Sequence, residues 1–313
     1  MFQWTRQYIL ENAAKAWMAE GGSKDDSDIE LLAHQLTADS IHSTISFLKK
    51  STTDRSARRT VLYPSNLGKC PRQLALQRSG SPVRELELSA KVKMMIGNVT
   101  EAVVCTLFDK VGRDTEQYRI CGAQQKVSPL VWSKKNKKYE VLSGRIDRLF
   151  YWEDKCFILE MKSTREKAFY NVLREGPNNN WGYETQVGNY ILALRQSNFT
   201  VDGVYLVTTS PSSGEWCEHL GLLESTDGIK EHAQSVVDAI DAAEEGVIVP
   251  RPVWATTTFH PRVKNEDGSK GTRRLDDLRC QYCPVVASCW PGIQYRWVGS
   301  GEKSKVWEFP AES

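Results

Sequence analysis

Two acids and an amine stand close together in Gly144-Arg-Ile-Asp-Arg-Leu-Phe-Tyr-Trp-Glu-Asp-Lys-Cys-Phe-Ile-Leu-Glu-Met-Lys162. The stretch reads as two short strands around a turn at Glu153-Asp154, with Ile, Leu, Phe, Tyr and Trp on both arms. With a two-residue turn, antiparallel partners have numbers summing to 307. Asp147 then lies opposite Glu160 on one face, with Cβ atoms roughly 5 Å apart. Lys162 joins that face by the period of two. Facing carboxylates repel unless something positive sits between them. A hard divalent cation such as Mg or Mn suits carboxylate oxygens. An amine beside it can orient a water or stabilise charge developing on a phosphate.

Exposed surface charges are the ordinary explanation for such a set. The Ile158-Leu159 run argues instead for a buried strand, from which ionised side chains emerge only for a reason. A second constellation is Cys280-Gln-Tyr-Cys283-Pro-Val-Val-Ala-Ser-Cys289, which brings three thiols within ten residues. Three close cysteines leave a tetrahedral site one ligand short. Cys105 falls in a predicted helix and Cys121 and Cys156 in predicted strands, so these three read as small buried apolar residues. Cys217 stays open as a ligand. Cys70, in Lys-Cys-Pro-Arg just before a helical stretch, can present a ligand from a loop. Zinc is the generic occupant of such a set.

Several elements must position these groups. Residues 2–20 and 27–50 read as helices, the second with Ile29, Leu32, Leu36, Ile41, Ile45 and Leu48 on one face. A basic linker follows at 51–59, so 1–58 reads as a helical N-terminal extension. A helix over 89–110 carries Gly97 and Glu101 four residues apart. Strands are predicted at 117–128 and 138–143, and the 144–163 hairpin completes a meander. A helix over 181–197 places Gln186 and Tyr190 at i and i+4. A strand at 203–209 and a helix at 227–245 precede a charge-rich segment, 250–277, which reads as a mobile loop.

The chain has 313 residues, 40% of them hydrophobic, enough for one large domain with an extension. Its 41 Lys and Arg against 39 Asp and Glu leave a net charge of +2, so any basic surface must be local. No apolar run reaches bilayer-spanning length and the N-terminus lacks the layout of a signal peptide. Eight cysteines in that setting point to reduced thiols or a metal site, in a cytoplasmic protein.

Asp147 followed by Glu160-Met161-Lys162 resembles the PD-(D/E)xK nuclease superfamily. The order Cys70, then this core, then Cys280, Cys283 and Cys289 resembles its RecB-like iron–sulfur branch, which includes CRISPR-associated RecB-like exonucleases and AddAB-type nuclease domains. That resemblance implies a [4Fe–4S] cluster on the four cysteines, with zinc as the alternative. It implies a restriction-endonuclease-like α/β core with a mixed central sheet flanked by helices. The expected organisation is an extension over 1–58, a nuclease domain over 59–295 and a tail over 296–313. Gln186-Val-Gly-Asn-Tyr190 matches the family's Q-x-x-x-Y motif, which implies a part in positioning DNA. Gly97-Asn-Val-Thr-Glu101 occupies the place of a G-x-x-x-H segment, so Glu101 stands where many relatives have a metal-ligating His. The implied activity is Mg- or Mn-dependent hydrolysis of DNA, with exonucleolytic attack on single-stranded ends or flaps. A structure-selective or nonspecific endonuclease and a non-catalytic DNA-binding module with the same fold are the alternatives. A helicase, integrase or recombination partner is expected.

Overall fold

The computed structural model describes residues 2–22, 62–67, 69–84, 88–141, 143–177, 182–223, 225–247, 249–252, 255, 257–264, 270–275, 280, 283–298 and 304–309. The helix expected over 27–50 and the linker over 51–59 lie outside them. The strands are β1 (Phe2–Gln7), β2 (Arg119–Val127), β3 (Leu130–Ser133), β4 (Lys138–Val141), β5 (Gly144–Trp152), β6 (Lys155–Ser163), β7 (Gly203–Thr209), β8 (Trp216–Leu223), β9 (Thr257–Lys264), β10 (Lys270–Leu275), β11 (Gln294–Val298) and β12 (Ser304–Phe309). The helices are α1 (Ile9–Ala19), α2 (Pro64–Leu67), α3 (Pro71–Arg78), α4 (Leu88–Thr115), α5 (Glu166–Glu175), α6 (Tyr183–Gln196), α7 (Asp227–Glu244) and α8 (Val286–Cys289). Two compact units result. One draws on 1–68, 86–131 and 141–232, the other on 69–85, 132–140 and 233–313.

The first unit is built on a six-stranded mixed sheet of order β1-β8-β7-β6-β5-β2, in which β6 and β7 run parallel and the other neighbours antiparallel. Parallel neighbours require a crossover, and α5 and α6 provide it. The alternation of β6 divides the core in two. Phe157, Leu159 and Met161 join Ala13 of α1 and Phe108 of α4 in one apolar cluster. Cys156 and Ile158 join Val187, Ile191 and Leu194 of α6 in the other. Glu160 and Lys162 are even-numbered, so they leave the strand on the α6 side.

Phe2–Gln7 is a strand, where the sequence predicted a helix over 2–20. Phe2 and Trp4 alternate with polar residues, and their stacked rings, 5.2 Å apart, lie on the α6-side cluster. The helical period begins at Ile9. The start of α1 is closed by Glu218 of β8. Its carboxylate accepts the N–H groups of Leu10 and Glu11 at 2.9 and 2.8 Å, along with the Tyr205 hydroxyl and, at 3.0 Å, the Trp216 indole. This acceptor replaces the missing N-cap side chain.

In the second unit, β11-β12-β10-β9 form a four-stranded sheet. The mobile loop expected over 250–277 therefore contains two strands, and the tail expected over 296–313 contains β12. Segments poor in apolar residues still satisfy their backbone by pairing, and Thr257-Thr-Phe and Lys305-Val-Trp carry the β-branched and aromatic residues that suit it. Among the described residues no helix is long and apolar enough to cross a membrane.

Candidate active site

The register derived from a two-residue turn is the one observed. Trp152 pairs with Lys155 and Arg148 with Leu159, and both Glu153 and Asp154 have φ near +50 to +60°, the two left-handed residues of a type I′ turn. Recorded pairing ends at Arg148–Leu159, one step short of the expected Asp147–Glu160 pair. Instead, the Asp147 Oδ2 accepts the Met161 N–H at 2.9 Å. The site sits where β5 and β6 part.

Glu101 enters from α4 and accepts the Ser163 N–H on Oε1 at 2.9 Å. A Cβ placed at Gly97, one turn earlier, would stand 3.6 Å from the Ser163 side chain, so the helix lies close to the end of β6. Burial raises the Glu101 carboxyl, opposed by Lys162 and the Ser163 amide. Glu160 is 2% exposed. Its Oε1 accepts from the Lys162 ammonium and, at 2.6 Å, from the Gln186 amide, while Oε2 is buried with no hydrogen-bond partner. Burial pushes Glu160 up to about 8, against the pull of Lys162. For Lys162, burial acts downward, but Glu160, Glu101 and Asp147 together raise it and keep the ammonium charged.

Gln186 and Tyr190 share a helical face, as expected, and the Gln186 Nε2 also donates to the Tyr190 hydroxyl at 2.8 Å. Both are buried; Gln186 reaches the Glu160 carboxylate directly and Tyr190 is joined to it only through Gln186. The Tyr190 ring closes over the start of β5, where a Cβ on Gly144 would meet Tyr190 Cε1 at 2.8 Å. Only a glycine admits this packing.

Three contacts carried no sequence signal. Tyr183 places its ring 5.8 Å from the Lys162 ammonium. Gln124, with φ +49°, points its amide at Asp147 Oδ1 from 3.5 Å. Arg148 grips Asp109 of α4, with Nε at 2.7 and 2.9 Å from the two oxygens and Nη2 at 2.7 Å, and its Nη1 donates to the Asp147 carbonyl at 2.7 Å. The last contact ties the helix bearing Glu101 to the strand bearing Asp147.

In the second unit, Cys70, Cys280, Cys283 and Cys289 line one small cavity floored by Val285, Val286 and Trp290. All four are free thiols. Arg72 Nε donates to Cys289 Sγ at 3.1 Å. Burial pushes the Cys283 thiol up to about 12, and Cys70 and Cys289 add to this. Cys105, Cys156 and Cys217 are buried, but Cys121, expected inside, is exposed at the bulge of the edge strand β2. Among the described residues no three His, Cys, Asp or Glu side chains converge as ligands of a single ion.

A family model describing the PD-(D/E)XK nuclease superfamily matches residues 34–290. The chain belongs to this superfamily. The mixed six-stranded sheet flanked by helices agrees with the restriction-endonuclease-like fold of the PD-(D/E)XK proteins. Membership implies a nuclease with DNA as its substrate class, and the nucleases of this superfamily use divalent metals such as Mg or Mn. No curated protein matches the chain. A solved structure titled "Crystal structure of SSO0001" is similar at 13% identity over 74% of this chain and 86% of that one, with a TM-score of 0.38.

Proposed function

We propose that the chain is a Mg- or Mn-dependent deoxyribonuclease of the RecB-like type, acting exonucleolytically on single-stranded ends or flaps during DNA repair or recombination. The observation that carries the hydrolytic reading is the buried Glu160 Oε2, a carboxylate oxygen without a partner, set among Glu101, Asp147 and Lys162. A buried charge lacking a hydrogen bond costs several kcal/mol unless a cation compensates it. The donor set fits a hard divalent ion: Glu101, Asp147 and Glu160 each have an oxygen not committed to a backbone N–H, and the Met161 carbonyl belongs to the same strand. A bound ion supplies Lewis-acid polarisation of the phosphate and a more acidic water. Lys162 offers its ammonium to the attacking water or to charge developing on the phosphate. Gln186 and Tyr190 fix the Glu160 rotamer, and Tyr183 closes the far side of Lys162.

Cys70, Cys280, Cys283 and Cys289 would hold a [4Fe–4S] cluster. Four thiols lining one cavity supply the ligand set that such a cluster needs. Its contribution is a cross-link between Cys70 and a segment about two hundred residues later, acting on stability as a long-loop cross-link does.

Degradation of end-labelled linear and covalently closed single strands, with Mg and with Mn, tests the reading. Loss of linear substrate only, abolished by Glu160→Ala and Lys162→Ala, is expected. Equal cleavage of closed circles would establish an endonuclease. No cleavage with either metal would overturn hydrolysis. Protein prepared without air should be brown and contain iron and acid-labile sulfide, both lost in Cys283→Ser. Stoichiometric zinc would replace the cluster assignment.

A further inference from the structure

Cys289 is held by two arginines, one at its sulfur and one at its carbonyl. Arg72 donates from Nε to the Cys289 sulfur at 3.1 Å, and its Nη1 donates to the Val249 carbonyl. Arg251 donates from Nε and Nη2 to the Cys289 carbonyl, at 3.1 and 2.6 Å, and lies 4.0 Å over the Trp290 ring. Arg72 follows Cys70 by two residues, so it ties the segment carrying one thiol to the segment carrying another, 217 residues on. The Arg84 N–H makes a second tie between the same segments, donating to the Pro284 carbonyl at 2.8 Å.

Arg72 is placed against the preference of its own helix. Pro71 opens α3 with Cys70 at the N-cap, which puts Arg72 in the first turn, where the helix dipole disfavours a cation. A neutral thiol is only a weak acceptor, so a guanidinium gains little by facing one. A thiolate reverses that balance. In a cavity floored by Val285, Val286 and Trp290 it needs a cation beside it, and an arginine stays charged throughout.

We propose that Arg72 is a positioning residue for the metal centre on Cys70, Cys280, Cys283 and Cys289, whose Nε–H holds the Cys289 thiolate in place and favours the reduced state of the cluster. The proposal rests on the iron–sulfur reading of the four cysteines. A reduced cluster carries one more negative charge than an oxidised one. A hydrogen bond to its sulfur ligand therefore stabilises the reduced form more and raises the reduction potential.

The test is an anaerobic titration of the full-length protein with dithionite as the one-electron reductant, followed by electron paramagnetic resonance. Arg72→Gln should favour the oxidised cluster about tenfold, a midpoint lower by about 59 mV. Arg251→Gln, which releases the Cys289 carbonyl and not its sulfur, should leave the midpoint unchanged. An unchanged midpoint in Arg72→Gln, or an equal shift in Arg251→Gln, overturns the assignment, since a merely structural contact moves stability and not potential. Arg72→Lys keeps the charge without the planar fork, and it carries the test if Arg72→Gln fails to fold. Its iron should pass to a chelator at least about tenfold faster than that of the wild type, and an unchanged rate overturns the role. Iron, zinc and acid-labile sulfide in the wild-type protein judge the cluster separately. Zinc without sulfide removes the cluster and its redox state, and the positioning role then stands or falls on zinc release by the same factor. Wild-type protein without any metal removes both.

Discussion

Removing the Asp109 carboxylate should loosen the candidate active site without touching any proposed ligand. Its partner Arg148 has a side chain only 11% exposed, and that of Asp109 is 29% exposed. Exposed ion pairs contribute about 0–1 kcal/mol, whereas removing one partner of a fully buried pair costs about 3–5 kcal/mol. A pair between these limits, with bidentate geometry, places Asp109→Ala at about 2–3 kcal/mol. The cost divides between the lost contacts and a guanidinium left with only the Asp147 carbonyl. A double-mutant cycle with Arg148→Ala, followed by urea unfolding, should give a coupling energy of about 2 kcal/mol. Metal-dependent cleavage by Asp109→Ala should fall at least tenfold, because Glu101 and Asp147 are no longer held in register by one clamp. Coupling below about 0.5 kcal/mol, or full activity in a destabilised Asp109→Ala protein, would refute the assignment.

Both Asp147→Asn and Asp147→Ala should abolish metal-dependent cleavage, but the alanine variant should be about 1–2 kcal/mol less stable, since only Asn retains an acceptor for the Met161 N–H. Unfolding midpoints separate the two. Glu218→Ala should cost more than about 3 kcal/mol, because it leaves four donors at and beside the start of α1 without their acceptor; calorimetry reads the loss. Burial and the facing Arg6 lower His219 to about 4, beneath its unfolded value near 6.5. The unfolded chain therefore binds the extra proton. Stability is complete above about pH 6.5 and declines toward pH 4, by at most about 3 kcal/mol. His219→Gln should flatten that decline in urea titrations at pH 7.5 and 4.5.

The hairpin was legible because its register is a local matter. A two-residue turn fixes every pair that follows, and Glu153 and Asp154 adopt the conformation such a turn demands. Helix α4 and strand β7 were legible in extent, but α4 turns Val104, Cys105, Phe108 and Val111 inward while Val92, Ile96 and Val103 of the expected apolar stripe are exposed, and β7 is buried along its whole length, so no alternation marks it. Phe2–Gln7 was misassigned because its alternation spans only six residues and runs straight into a helix, and its pairing with β8 lies more than two hundred residues away. The strands within 250–277 were hidden because their pairing partners, and not their apolar content, make them strands. At the site, Asp147, Glu160 and Lys162 were legible from the hairpin register, whereas Glu101 came into view only through the family resemblance. Gln186 and Tyr190 were visible as a pair, but sequence gave no means of telling that they face a carboxylate. Tyr183, Gln124 and the Arg148–Asp109 clamp depend on side-chain directions that no spacing encodes.

Asp147 and Glu101 each hold a backbone N–H of β6 with one oxygen, at Met161 and Ser163. These acids therefore answer to two selections at once, one for chemistry and one for closing the strand where the ladder gives out. A lineage released from the need to cut would still be punished for losing the acceptors. Drift in such a lineage should run through Asn and Gln, which retain an oxygen, and should rarely reach Ala or Val. The residue that replaces each acid in an inactive descendant thus records whether the fold survived the loss of hydrolysis.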